Sequence, residues 1–123
     1  MRFLTDRKRA IGLGSGRAGT HDHWKMMITS AAMVVLVPLF VFTFGAGLGG
    51  THEEVLAYFA RPFPAVITAL TAVIGVLHFK AEAVDAIVDY VHGVPGKLLI
   101  VAVEALAWVL IAAALFALVK LAL

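Results

Sequence analysis

The side chains best suited to chemistry are concentrated in HFKAEAVDAIVDYVHG, residues 78–93. At 100° per residue from His78, Glu82 falls at about +40°, Asp85 at about −20°, Asp89 at about +20° and His92 at about −40°. One unbroken helix would therefore carry all five on a single narrow face. A helix emerging from an apolar layer into water shows such a stripe, and for Glu82 and Asp85 this plain reading is preferred. His78 differs. Fourteen residues separate it from Pro64, about 21 Å of helix, so it lies inside or at the edge of the apolar layer, where a polar side chain needs a partner. A histidine there is either a hydrogen-bonded structural residue or a metal ligand. A neutral imidazole turned into a helix bundle suits haem iron as an axial ligand. The chain offers one good histidine at that depth, so a six-coordinate iron would draw its second ligand from another chain. Asp89 and Tyr90 follow about 16–18 Å further along. A tyrosine at a membrane boundary is most often an anchor, the stronger reading from pattern alone. Its phenol can also donate to a quinone carbonyl, with a neighbouring carboxylate orienting water or relaying a proton.

These residues sit in a chain whose solvent is lipid. Of its 123 residues, 62% are apolar and 15% charged, against roughly 45–50% and about 25% in soluble domains. A body this small cannot hide so much apolar surface from water. The length suits one domain. The absence of cysteine excludes disulfides, zinc–thiolate sites and cysteine-ligated clusters, and leaves the five histidines as the transition-metal candidates. A net charge of +2 gives no support to nucleic-acid binding. MRFLTDRKRAIGLGSGRAGT has the basic start of a signal peptide without the apolar run that should follow, and reads as a retained polar tail.

Three apolar stretches define the elements, giving an all-α membrane protein with spans at about 26–48, 63–91 and 98–121. Residues 1–24 form a segment outside the membrane and 25–123 the three-helix domain. The first stretch, about 34 Å of helix, is long enough for a hydrocarbon core of about 30 Å. Pro38 is tolerated within it, and GAGLGG ends it. Between the first two spans, VLAYFA reads as a short interfacial helix with Tyr58 and Phe59 at headgroup depth. Pro62 or Pro64 opens the second span, and HGVPGK, residues 92–97, reads as a turn. Glu104 and Lys120 interrupt the third span; Lys120 can snorkel, and Glu104 reads either as functional or as a partnered structural carboxylate. Trp24 and Trp108 read as interfacial or packing residues and His52 as a solvated loop residue. Arg2, Arg7, Lys8, Arg9, Arg17, Lys25, Lys80 and Lys97 fall on one side, against Arg61 and Lys120 on the other. The positive-inside rule then places the amino terminus in the cytoplasm and the carboxy terminus in the periplasm.

Histidine followed eleven and twelve positions later by Asp89-Tyr90, on the second of three spans, resembles the D-type hydrophobic membrane anchor subunit of succinate dehydrogenase (respiratory complex II). GLGSGRAGTHDHW before the first span is similar to that family's Gly-x-Gly-Ser…Gly-x-x-His stretch, and Lys80 stands where many relatives have a basic residue. The resemblance covers nearly the whole chain, and the tail MRFLTDRKRA suggests an alphaproteobacterial member. It implies that His78 is an axial ligand of haem b, the other histidine coming from the cytochrome b-type anchor subunit. Tyr90 would hydrogen-bond ubiquinone, with Asp89 supporting that site. Arg17, His21, Asp22 and Lys25 would lie at the interface with the iron–sulfur subunit or near the haem propionates. This chain departs from the family pattern twice. Met26-Met27 stand where relatives commonly have an arginine, leaving Lys25 or Arg17 to supply the charge. Glu82 stands where relatives usually have a glycine beside the porphyrin, so a carboxylate crowds the macrocycle unless the helix is rotated.

The resulting expectation is an anchor subunit of succinate:ubiquinone oxidoreductase in the bacterial inner membrane. Flavin, iron–sulfur clusters and succinate oxidation would belong to partner subunits in the respiratory chain and tricarboxylic acid cycle. A rival is a small proton-coupled transporter, active as a homo-oligomer, with a relay of Glu104, Glu82 and His78. A third reading is a purely structural membrane protein.

Overall fold

A computed structural model describes residues 5–12 and 17–122, the side chains of residues 17 and 18 excepted. All of the regular structure described is helical: α1 (Asp6–Ile11), α2 (Arg17–Ala46), α3 (His52–Phe59), α4 (Pro62–Tyr90) and α5 (Gly93–Ala122). Three of these are long and apolar enough to cross a membrane, over Gly19–Ala46, Pro62–Tyr90 and Gly93–Ala122. At about 1.5 Å per residue each exceeds the roughly 30 Å hydrocarbon layer by several residues, so the helices continue past it at their polar ends.

The helices run beyond the expected spans because helical geometry does not stop where hydropathy does. α2 begins at Arg17, nine residues before the apolar stretch, and carries His21, Asp22, His23 and Lys25 on its first turns. The expected turn at 92–97 shrinks to Val91 and His92. Gly93, with φ of 77°, reverses the chain, and Pro95 falls within the first turn of α5, where a missing N–H removes no helical bond. α4 stops at Tyr90 and Val91 is extended. His92 therefore leaves the predicted polar stripe, which continues only through Asp89.

α4 is the middle helix. It packs against α2 along one side and α5 along the other, and α3 rests on α5 and α4. Among the described residues α2 and α5 make no close backbone approach. Among the less exposed positions of α2 are Met26, Thr29, Met33, Leu36, Phe40 and Thr43, and among those of α5 are Gly96, Ile100, Val103, Ala107, Ile111, Ala114, Leu118 and Leu121. Their three- and four-residue steps form one seam per helix, as in left-handed bundles. Elsewhere the apolar surface stays outward, with Val34, Phe42, Leu98, Val101, Val109 and Phe116 exposed.

At one end, the link between α2 and α4 is itself packed. Thr51 and Glu54 form a reciprocal capping box that starts α3. The Tyr58 hydroxyl donates to the Thr43 carbonyl at 2.8 Å, and Phe59 is 3% exposed against Phe44, which stacks on Phe40. The short helix expected here is present as α3, with Phe59 buried against α2. His52 is the first residue of α3 and is exposed, so the loop expected for it is helical.

Candidate functional site

At the opposite end, polar groups face one another within the helix layer. Gly75 is buried against Met33, whose terminal methyl lies 3.6 Å from where a β-carbon would stand. This approach of α2 to α4, one turn away, brings Thr29 to His78. The Thr29 hydroxyl lies 3.0 Å from His78 Nδ1 and also donates to the Met26 carbonyl at 3.0 Å. His78 Nε2 is 3.9 Å from Glu82 Oε1, with the His78 side chain 16% exposed and that of Glu82 55%. One imidazole nitrogen is thus engaged inside the protein, and the other faces a partly open flank.

On the far side of α4, Lys80 Nζ meets Glu104 Oε1 at 3.0 Å. This gives Glu104 the partner that a carboxylate within a span requires. It also takes Glu104 out of the expected relay, leaving His78 and Glu82 as the two of its three groups that lie close together. Between these contacts lies a cavity of about 610 Å³ whose polar lining includes Asp22, His23, Lys25, Lys80, Asp85 and Glu104.

The other candidates are more exposed. Asp22 and Lys25 pair at 3.5 Å on the first turns of α2, and His21 is exposed beside them. The Arg17 side chain and Gly-Ser segment 13–16 lie outside the described residues. Asp89 and Tyr90 end α4 with no side-chain partner among the described residues, and Tyr90 is 85% exposed. Trp24 and Trp108 also face outward. Sequence reasoning did not single out Thr29 or the pairing of Lys80 with Glu104. The available signal was burial demand: a hydroxyl and two charges within long helices must find partners.

The residues present fit an axial haem ligand. Thr29 donates to Met26 and so can accept a hydrogen bond from Nδ1–H, leaving the Nε2 lone pair for a metal. Glu82, half exposed on a flexible stem, has space to turn away from Nε2. Among the described residues no three His, Asp or Glu side chains converge on one point, so iron held here would rely on its macrocycle and a ligand from another chain.

Fold and site together define a small protein with three membrane-length helices and a polar cluster at one end of them. The chain belongs to the succinate dehydrogenase/fumarate reductase transmembrane subunit family, whose pattern matches residues 1–119. It is 43% identical to the succinate dehydrogenase hydrophobic membrane anchor subunit of Paracoccus denitrificans, over all of this chain and 95% of that protein. No solved structure gives a significant match to it. The family and this full-length relative support a membrane-anchor role in succinate dehydrogenase.

Proposed function

We propose that this chain is the D-type anchor subunit of a succinate:ubiquinone oxidoreductase, supplying His78 as one axial ligand of haem b and the Asp89-Tyr90 end of α4 to the ubiquinone pocket. Its amino terminus faces the cytoplasm and its carboxy terminus the periplasm. The cytochrome b-type anchor supplies the second histidine, and the iron–sulfur and flavoprotein subunits dock on the cytoplasmic end. The observation that carries this reading is His78, mostly covered within a membrane-length helix, with Nδ1 engaged by Thr29 and Nε2 beyond hydrogen-bond distance of the half-exposed Glu82 carboxylate.

Haem, when bound, supplies a reversible one-electron carrier beside the quinone pocket. The remaining chemistry belongs to this chain's side chains. His78 would hold the iron through Nε2, with the Thr29 hydroxyl positioned to accept from Nδ1–H. The Tyr90 phenol donates to a quinone carbonyl oxygen, stabilising the negative charge that grows there as electrons arrive. Asp89 orients the neighbouring donor and water so that protons reach the reduced oxygens. The exposure of Tyr90 in the isolated chain supports a pocket completed by partner subunits. Asp22, Lys25 and Arg17 belong to the docking end, where the positive charge of Lys25 also suits haem propionates.

A reduced-minus-oxidised spectrum of the gently solubilised native complex tests this reading, comparing wild type with His78→Ala. Loss or alteration of a low-spin b-type signal, with flavoprotein and iron–sulfur chains still copurifying, is expected. An unchanged spectrum removes His78 as the ligand. A preparation with neither haem nor soluble partners overturns the anchor assignment.

A further inference from the structure

We propose that Thr29 is a positioning residue for the haem iron: it accepts a hydrogen bond from His78 Nδ1–H, fixing the imidazole tautomer that presents Nε2 as a lone pair. The inference rests on the haem reading above and deepens it. A threonine hydroxyl has one proton to donate. Here the Met26 carbonyl, which has no proton to give, lies 3.0 Å from Thr29 Oγ1. With the hydroxyl proton directed to that carbonyl, the oxygen meets Nδ1, also at 3.0 Å, as an acceptor. The proton between them is the imidazole's own. Nε2 is then unprotonated, and its 3.9 Å separation from Glu82 Oε1 is too long for a hydrogen bond.

The elements explain why the contact is reproducible. Thr29 is β-branched and bonds back to its own helix, which restricts χ1. The packing of Met33 on Gly75 sets the separation of α2 from α4 one turn away. Ser30 donates to the same Met26 carbonyl at 2.9 Å but has no contact with the imidazole, so of these adjacent hydroxyls only Thr29 is placed to act. A hydrogen bond from Nδ1–H also makes the imidazole a better electron donor to iron, which stabilises the oxidised state.

The test uses the intact, purified complex and three variants, Thr29→Val, Thr29→Ser and His78→Ala. Haem retention is read by transfer to apomyoglobin, alongside the haem midpoint potential and the low-spin electron paramagnetic resonance signal. Thr29→Val is expected to weaken haem retention roughly 10-fold or more, raise the midpoint potential and shift the resonance, while Thr29→Ser stays close to wild type. Retention, potential and resonance all unchanged in Thr29→Val overturn the proposal. If His78→Ala also leaves the haem unchanged, the ligand assignment itself has failed, which is a separate result. Should Thr29→Val prevent assembly, Thr29→Ala is compared with Thr29→Ser, which differs from it by the hydroxyl alone. Equal behaviour of that pair overturns the proposal, and a defect confined to Ala supports it.

Discussion

The two ends of the helix layer solve opposite problems. At the α3 end the chain seals itself: Phe40, Phe44, Phe59 and Tyr58 pack ring against ring, and the Tyr58 hydroxyl has a partner in Thr43. At the His78 end it leaves a polar cavity, a histidine with one nitrogen available, and a tyrosine and aspartate without side-chain partners among the described residues. The first arrangement is complete in one chain, whereas the second becomes useful with other groups present. Stability and chemistry are thus separated along α2 by the fourteen residues from Thr29 to Thr43, about 21 Å of helix.

That separation can be broken or sharpened by substitution. The largest stability loss is expected for Phe59→Ala, which empties a packed position. It should fall near the lower end of the about 3–5 kcal/mol seen in soluble cores, because lipid tails can refill part of the space. Unfolding of the purified complex in graded denaturing detergent measures it, and the haem spectrum should not change. Gly47→Ala comes next. The added methyl would lie 2.8 Å from the Tyr58 ring and 2.9 Å from that of Phe59, an overpacking expected to cost about 1–3 kcal/mol by the same assay. Tyr58→Phe removes one hydrogen bond and should cost about 1 kcal/mol. Tyr90→Phe should leave stability unchanged, since the side chain is 85% exposed, yet lower quinone reductase activity and inhibitor sensitivity. Unaltered turnover in that variant would remove Tyr90 from the quinone site. A stability loss there as large as that of Tyr58→Phe would erase the contrast between the ends.

Much of this division was legible in the sequence, for identifiable reasons. Apolar runs longer than a bilayer revealed the three membrane-length helices, and the depth of His78 marked it as a residue needing a partner. Hydropathy could not locate the helix ends, because a polar turn such as His21–Lys25 is as helical as the apolar one that follows. The His92 error has the same origin: angular periodicity assumes a continuous helix, and the backbone turns at Val91 and Gly93. The partners of His78 and Glu104 depend on which helix lies beside which. Periodicity within one helix cannot report that, so Thr29 and Lys80 emerged only from the packing.

The central place of α4 sets how disturbances combine. Since α2 and α5 do not closely approach one another, truncations at Leu36 and Ile111, each buried on a different flank, should be energetically independent and sum to within about 0.5 kcal/mol. Substitutions in residues 62–90 have neighbours on both sides and should not combine so simply. The middle helix is therefore the long relay between the flanks: away from the α3 end, where Tyr58 and Phe59 touch α2 and α3 also meets α5, a strain applied to either flank reaches the other by moving the helix that carries His78.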